Sequence, residues 1–223
     1  VAKEYYFMCG IVGFTGRENA LPILIKGLYS LEYRGYDSAG IAVFEGDRLQ
    51  TVKSKGKIDD GLVKKLHEGK HLTATAGIGH TRWATHGEPS DVNSHPIGNS
   101  RITIVHNGII ENYRKIKNFL ISKGYGFESE TDTETVAKLI DYYYEGDPIE
   151  AIAKTLGDIE GSYALGIMFR DFKNTVFAAR KESPLIVGTA PDASYIASDV
   201  TAILDRTRNY YLLESGEIAR LDE

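Results

Sequence analysis

The chain has 223 residues, of which 42% are hydrophobic and 26% charged, a composition that excludes a disordered tail or a fibrous repeat. The 31 acidic residues outnumber the 26 basic ones and give a formal net charge of −5, which argues against a nucleic-acid partner because such binding needs a basic face. No apolar run approaches the roughly 18 residues that span a bilayer, so no membrane partner is expected. The single cysteine excludes a disulfide framework and any zinc site with more than one thiolate.

The first eight residues, which end at Met8, precede the first strong structural signal. They lack the apolar segment and the small-residue cleavage site of a signal peptide. We therefore expect residues 1–8 to be an extension, either an expression remnant or a pro-segment. One domain over 9–223 is expected to follow, in the reducing environment of the cytoplasm.

Strands and helices are mixed in the first half of the chain, and strands dominate the second half. Helices are predicted where apolar residues recur every three or four positions, and Pro22 and Pro148 suit a first helical turn. For the helix that begins near 133, Thr131 or Asp132 is the expected N-cap. The predicted helices cover 21–31, 58–66, 113–122, 133–144 and a segment after Pro148. The predicted strands cover 9–14, 41–44, 48–52, 74–80, 102–106, 163–169, 175–179, 185–189, 195–197, 210–213 and 218–221.

This order is not a regular alternation of strand and helix. It favours an α+β fold in which antiparallel sheets pack between helices. A doubly wound dinucleotide-binding fold is disfavoured, because no G-x-G-x-x-G follows the first strand. The segment 35–40, GYDSAG, also misses the G-x-S-x-G elbow of α/β-hydrolases.

Polar residues that can do chemistry concentrate in the segments 80–89, 106–108 and 130–134. Four of the six histidines lie between His80 and His106. Their spacing matches no zinc or iron pattern, and no H-E-x-x-H is present. We therefore expect no metal site, and most of these histidines to be structural.

Cys9 directly follows Met8, and this position matters for its chemistry. A lone cysteine in an apolar strand is commonly an inert small hydrophobe. If Met8 is the start residue, however, its removal would leave Cys9 as the first residue. Its α-amine, with an ordinary pKa of about 7.7–8.0, could then accept the thiol proton near neutral pH.

Five segments together carry a resemblance to a known family. They are CGIVG at 9–13, LEYRGYDSAG at 31–40, HTRWATHG at 80–87, HNGIIEN at 106–112 and SETDTE at 129–134. The first resembles the start of the class II glutamine amidotransferases, which are N-terminal nucleophile hydrolases. The other four, in this order, resemble the glutaminase domains of the glutamine–fructose-6-phosphate aminotransferase family, over residue 9 to about residue 221.

The resemblance implies a four-layer αββα sandwich of two antiparallel sheets. It also implies an enzyme that hydrolyses L-glutamine without a cofactor and passes ammonia to a sugar-phosphate isomerase domain of the same polypeptide, which makes glucosamine 6-phosphate from fructose 6-phosphate. That second domain is expected to be absent from the present sequence, and the full-length enzyme is expected to be a homodimer.

The resemblance assigns the catalytic step to three residues. Cys9 would attack the amide carbon and form a γ-glutamyl thioester. The Asn107 side-chain amide and the Gly108 backbone N–H would stabilise the oxyanion, and losing one such donor typically costs roughly 10²–10³ in rate. From the residues alone, Asn107-Gly108 is equally a tight turn after a strand.

The resemblance also assigns a glutamine-binding role to five residues. Arg82 suits the α-carboxylate, because its planar fork can pair with both oxygens, and Asp132 suits the α-ammonium. Thr85 and the backbone at His86 would add contacts to the carboxylate, and Trp83 would belong to a mobile lid. The alternatives are a surface cation for Arg82, a helix cap for Asp132 and a core aromatic for Trp83.

Other interpretations remain open at this stage. Arg34 and Asp37 could lie near the nucleophile or merely hold its strand. The domain could serve another class II amidotransferase, or be an inactive regulatory module of the same fold. It could also be an N-terminal nucleophile hydrolase that acts on a different amide. With residues 1–8 still attached, the nitrogen of Cys9 belongs to a peptide bond and is no useful base, so we expect that form to be inactive.

Overall fold

Two antiparallel sheets contain the twelve strands found in residues 9–68, 73–83 and 87–223, the part of the chain that the computed structural model describes. The first sheet has the order β11 (Tyr210–Leu212), β9 (Ile186–Ala190), β10 (Ala193–Ala197), β1 (Gly10–Gly16), β4 (Ala76–Arg82), β2 (Ser38–Glu45) and β3 (Arg48–Lys55). The second has the order β12 (Ile218–Leu221), β8 (Val176–Lys181), β7 (Gly161–Phe169), β6 (Ile102–Ile110) and β5 (Ile97–Gly98).

The helices cover the outer faces of these sheets. The α-helices are α1 (Ala20–Ser30), α2 (Lys64–Glu68), α3 (Tyr113–Ser122), α4 (Asp132–Tyr143) and α5 (Pro148–Asp158). A π-helical segment at Ile58–Val63 leads into α2, and short 3-10 turns lie at Glu32–Arg34 and Val200–Ala202. No helix among the described residues is long and apolar enough to cross a membrane.

Alternation along the strands divides the interior into three apolar layers. On β1, Val12 packs with Leu24 and Leu28 of α1, whereas its neighbour Ile11 packs between the sheets. A third cluster, which includes Ile140 of α4, joins the second sheet to α3, α4 and α5. The order of layers is therefore helix, sheet, sheet, helix, and the αββα expectation is confirmed.

Side-chain caps fix where the helices begin. Thr131 caps α4 by accepting a hydrogen bond from the backbone N–H of Glu134, so Asp132 is the first helical residue and not the cap. Asp147 caps α5, with Pro148 following it in the first turn. The Thr131 cap matters for function, because it places Asp132 at the helix end nearest β6.

Most predicted elements are present, with shifts of a few residues at their ends. The interpretation of Asn107-Gly108 as a turn is wrong, because β6 continues through both residues to Ile110 and pairs with β7 along its length. The helix predicted at 58–66 begins as a π-helix. Residues 1–8, Thr85 and His86 lie outside the described residues.

Candidate active site

A cavity of about 250 Å³ opens where β1 and β4 of the first sheet face β6 of the second. Six of the eight predicted site residues line it: Cys9, Arg82, Trp83, Asn107, Gly108 and Asp132. They come from the start of β1, the end of β4, the middle of β6 and the start of α4. The fold thus brings together residues that are up to 123 positions apart in sequence.

The cavity forms because the inner faces of two strands change from apolar to polar. On β4, Ile78 belongs to the core between the sheets, and His80 and Arg82 follow on the same face at a spacing of two. On β6, Val105 belongs to that core, and Asn107 follows on the same face. The two sheets therefore pack tightly as far as Ile78 and Val105. Past these residues, toward the cavity, the facing side chains are polar.

Cys9 is half-buried, and its thiol lies against the backbone of Trp83. The N–H of Trp83 donates to Cys9 Sγ at 3.2 Å, and the thiol lies 3.5 Å from the Trp83 carbonyl. Burial raises the pKa of the thiol, while the Trp83 hydrogen bond and the charge of Arg82 oppose that rise. The thiol is therefore protonated at neutral pH and needs a base to become a nucleophile.

Asn107 and Gly108 line the cavity together with Cys9. Asn107 Nδ2 donates to the Cys9 carbonyl oxygen at 2.9 Å. Gly108 has a φ of +126°, and a Cβ at this position would come within 2.1 Å of the Ser162 carbonyl oxygen on β7. Only glycine fits here, and its freedom sets the local direction of the β6 backbone.

Arg82 and Asp132 supply opposite charges to the same cavity. Arg82 is 3% exposed, and its Nη2 donates to the Gly87 carbonyl at 3.2 Å. Burial lowers the pKa of its guanidinium, and the negative charges of Asp37 and Asp132 counteract this. Asp132 is 5% exposed, and its Oδ2 accepts from the Ile110 N–H at 2.8 Å. The pair can bind the two charged ends of a zwitterion.

Arg34 positions the strand that begins at Cys9. Its guanidinium pairs with Asp199 at 2.7 Å and lies 3.4 Å from the Cys9 carbonyl. Burial opposes ionisation of Asp199, but hydrogen bonds from Thr201, Tyr33 and Arg34 outweigh burial and lower its pKa to about 2. Arg34 therefore both holds the strand and contacts the Cys9 backbone.

Asp37 holds the end of β4 through its backbone. Its backbone N–H donates to the Arg82 carbonyl at 2.8 Å, and its carbonyl accepts from Gly56 at 2.7 Å. Ser38 donates to its carboxylate at 2.9 Å. Asp37 thus fixes the end of β4 from which Arg82 reaches the cavity.

Three histidines of this region that the structure describes, His80, His95 and His106, are buried. The rings of His80 and His95 lie 4.3 Å apart, and His106 Nδ1 lies 3.0 Å from the Thr133 hydroxyl. Burial lowers the pKa of His80 to about 3 and that of His95 well below its ordinary value. Within the described ranges, no group of three or more His, Cys, Asp or Glu side chains could hold a metal ion.

Several lining residues had no sequence signal. Ser162 on β7 and Ser183-Pro184 after β8 complete the wall opposite Cys9. Trp83 is 38% exposed, so the core-aromatic interpretation is wrong. Thr85 and His86 lie outside the described residues, and their assigned contacts stay predictions.

The sequence matches a family profile described as a glutamine amidotransferase domain over residues 80–205. That span exceeds half of the chain and contains Arg82, Asn107, Gly108 and Asp132. The chain belongs to this glutamine amidotransferase family.

Two curated relatives of this family member are glutamine–fructose-6-phosphate aminotransferases (isomerizing). The one from Caldanaerobacter subterraneus subsp. tengcongensis is 55% identical over 214 residues, which are 95% of this chain and 35% of the relative. The one from Thermotoga maritima is 46% identical over 216 residues, with 95% and 35% coverage. The chain therefore spans about a third of the length of these relatives.

Solved structures share the fold. Glutamine phosphoribosylpyrophosphate amidotransferase from B. subtilis, complexed with ADP and GMP, superposes with a TM-score of 0.82 at 29% identity, over 96% of this chain and 47% of that one. A glutamine aminotransferase class-II domain protein from Silicibacter pomeroyi gives 0.69 at 14% identity, over 96% and 95%, and supports the fold alone. The expected family and fold are both confirmed.

Proposed function

We propose that this domain hydrolyses the side-chain amide of L-glutamine to glutamate and ammonia, with Cys9 as the nucleophile. One observation carries the proposal: in a chain of this family, a single cavity is lined by a thiol, by Asn107 and Gly108, and by a buried pair of opposite charges. A thiol with two donors suits acyl transfer. The opposite charges suit a free amino acid more than a peptide or a simple amide.

The reaction balances with groups of this chain, glutamine and one water. The free α-amine of Cys9 takes the thiol proton, and the thiolate attacks the amide carbon. Asn107 Nδ2–H and the Gly108 N–H stabilise the oxyanion. The carbon–nitrogen bond then breaks, and the ammonium of Cys9 returns its proton to the leaving nitrogen, which departs as ammonia. A water, deprotonated by the same amine, attacks the thioester. The carbon–sulfur bond breaks to release glutamate and the Cys9 thiolate, which takes the proton back from the ammonium and so restores the free amine and the thiol.

The charged pair orients the substrate. Arg82 binds the α-carboxylate with both arms of its guanidinium, and Asp132 binds the α-ammonium. Thr85 and the backbone at His86 add contacts to the carboxylate, and Trp83 closes over the bound substrate as a lid. Asparagine carries the same charged groups on a shorter side chain, so its amide falls short of the thiolate.

In the whole protein, ammonia from this domain goes to a sugar-phosphate isomerase domain, which uses it to convert fructose 6-phosphate to glucosamine 6-phosphate. Identities of 46–55% to the aminotransferases support this assignment. The whole enzyme is a cytoplasmic homodimer. The structural similarity to the phosphoribosylpyrophosphate amidotransferase supports a second candidate, in which the domain supplies ammonia to another acceptor. Residues 1–8 are a removable extension in either case.

The decisive experiment measures glutamate release from glutamine by protein whose first residue is Cys9, with asparagine as the control substrate. We expect turnover of glutamine and essentially none of asparagine. Equal turnover of both amides would contradict the zwitterion pocket. A complete lack of turnover, by protein shown to be folded, would identify an inactive module.

A further inference from the structure

His80 connects the two sheets directly beneath the cavity. It lies on β4, opposite Ile11 on β1 and Gly40 on β2, in the interior of the first sheet. Its side chain is 0% exposed and points toward β6 of the second sheet. There, Nε2 lies 2.9 Å from Asn107 Oδ1 and 3.0 Å from the His106 carbonyl oxygen. This histidine therefore contacts the residue that carries one of the two oxyanion donors.

The His106 carbonyl determines which ring nitrogen of His80 carries the proton. A carbonyl oxygen only accepts hydrogen bonds, so Nε2 must be the donor. The opposite ring nitrogen, Nδ1, has no hydrogen-bond partner in the described part of the chain. A proton on Nδ1 would leave a buried donor unpaired, which is unfavourable. Both observations favour the neutral ring with its proton on Nε2.

That proton in turn fixes the orientation of the Asn107 amide. The oxygen and nitrogen ends of an amide have nearly the same shape, so packing alone cannot choose between them. A donor at Nε2 requires the oxygen on the His80 side, and the NH2 group then faces Cys9, where it donates to the carbonyl at 2.9 Å. An amide NH2 carries two hydrogens, so it can bind that carbonyl and an oxyanion together.

We propose that His80 is a positioning residue, which holds the Asn107 amide with its NH2 group toward the reacting carbon. The role rests on the proposed glutamine hydrolysis. Without His80, only the Cys9 carbonyl still favours this orientation, so the amide rotates by half a turn more readily and presents its oxygen to the developing negative charge. Because preorganised donors act without reorganising during the reaction, such rotation lowers kcat and leaves glutamine binding by Arg82 and Asp132 intact.

The first test concerns the ground state and needs no activity. Two-bond ¹H–¹⁵N correlation spectra of the wild-type chain at pH 7 report which imidazole nitrogen is protonated. We expect the Nε2–H form for His80. A proton on Nδ1 overturns the proposal whatever the kinetics show and leaves the proposed glutamine hydrolysis untouched. A folded chain that starts at Cys9 and does not hydrolyse glutamine refutes the proposed function and the positioning role together.

The second test compares His80→Asn with His80→Gln. The longer glutamine side chain can place an N–H donor near the Nε2 position, whereas asparagine cannot reach it. We expect H80N to lower kcat by roughly 10–100-fold, part of the loss for a missing oxyanion donor, with the KM for glutamine nearly unchanged. H80Q should recover most of the lost kcat. Equal kcat values for the two variants, or a loss expressed only in KM, would overturn the positioning role.

A double-variant comparison separates positioning from general damage. In an Asn107→Ala background the amide is absent, so His80→Asn should lower kcat little further. An undiminished effect of H80N in that background contradicts the proposal. Ile140→Val, in the core beneath α4, serves as the control: it weakens packing far from the cavity and should leave kcat unchanged. Should H80N fail to fold, the tautomer measurement and the H80Q kinetics still decide.

Discussion

At the scale of single residues, opposing effects act on the pKa of the Cys9 thiol. Burial raises its pKa, whereas the Trp83 N–H and the Arg82 charge favour the thiolate. Because burial has the larger effect on this pKa, the Cys9 thiol is protonated in the resting site. The nucleophile is formed only when a base accepts its proton, and the α-amine of the same residue is the base that the proposed mechanism uses.

Replacing Cys9 by alanine should abolish glutamine hydrolysis while the fold survives. The change removes one half-buried sulfur, and a loss of about 1–3 kcal/mol in the free energy of unfolding is the most we expect. Cys9→Ser should be severely slowed, because a hydroxyl is a weaker nucleophile and gives up its proton less readily. Ammonia release and thermal unfolding measure the two effects. Residual turnover by C9A above the uncatalysed background would refute the assignment.

The state of the Cys9 nitrogen should control activity. We expect a chain that retains residues 1–8 to turn over at least about 100-fold more slowly than one that starts at Cys9, because a general base commonly contributes 10²–10⁴ and a peptide nitrogen is no base. Ammonia release compares the two preparations, and mass spectrometry verifies each N-terminus after the assay. Equal rates with the extension intact would exclude the α-amine as the base.

Arg82→Lys and Asp132→Asn should both raise the KM for glutamine by about tenfold or more. Lysine keeps the charge but loses the two-armed contact with a carboxylate. In Asp132→Asn, the amide oxygen can still accept from the Ile110 N–H, but the side chain no longer carries a negative charge to pair with an ammonium. The matched controls are Arg48→Lys and Asp60→Asn, at exposed positions, which should leave KM unchanged. Unchanged KM in both site variants would mean that the zwitterion binds elsewhere.

At the scale of the secondary-structure elements, β6 carries the largest share of the site. Its inner face supplies Asn107, its backbone supplies the Gly108 N–H, and its end at Ile110 binds Asp132 of α4. One strand therefore carries both proposed oxyanion donors and binds the carboxylate proposed to bind the substrate ammonium. A distortion of β6 should affect both functions together.

Gly108→Ala should destabilise the chain by about 3 kcal/mol or more and lower kcat. A Cβ there meets a backbone carbonyl at 2.1 Å, and alanine rarely adopts a φ of +126°. The control is Gly126→Ala, where a Cβ meets nothing within 4 Å and stability should stay the same or rise slightly. Urea denaturation of both variants measures the difference. A G108A protein as stable as G126A would contradict the strain described here.

The elements themselves were largely predictable, because burial imposes a period on each strand and helix. The turn predicted at Asn107-Gly108 was wrong, because the dipeptide that favours turns also fits a strand whose backbone runs close to a neighbouring strand. His80 could have been placed from the alternation on β4, which sets it on the face of Ile78 and Arg82. The places of Ser162 and Ser183 in the cavity could not be predicted. The alternation of apolar and polar residues along a strand shows which face a residue occupies, but not which strand lies opposite that face.

At the scale of the whole molecule, the four layers bury histidines that the unfolded chain exposes. His80 has a folded-state pKa of about 3, and that of His95 is also well below its ordinary value. Below about pH 6.5 the unfolded chain therefore binds protons that the folded chain does not. Stability contributed by these rings is complete above that pH and declines as the pH falls.

The free energy of unfolding should accordingly fall by about 2–3 kcal/mol between pH 7.5 and pH 5.5, since each such histidine contributes up to about 1.4 kcal/mol per pH unit. Urea denaturation at several pH values in this window measures the decline before the carboxylates titrate. His80→Gln should show about half of it, since His95 remains. A free energy that is the same at both pH values would show that these rings become charged within the folded protein.

The position of β1 has a consequence for the order of events on the ribosome. This strand is among the first parts of the domain to be made, yet it pairs with β4 on one side and with β10, at Ala193–Ala197, on the other. With synthesis at about 5–20 residues per second, roughly 6–24 seconds separate the completion of β4 from that of β10. During that interval the first sheet has no β10 to hold the far side of the nucleophile strand. We therefore expect glutamine hydrolysis to begin only when the domain is nearly finished, and partial chains to release no ammonia.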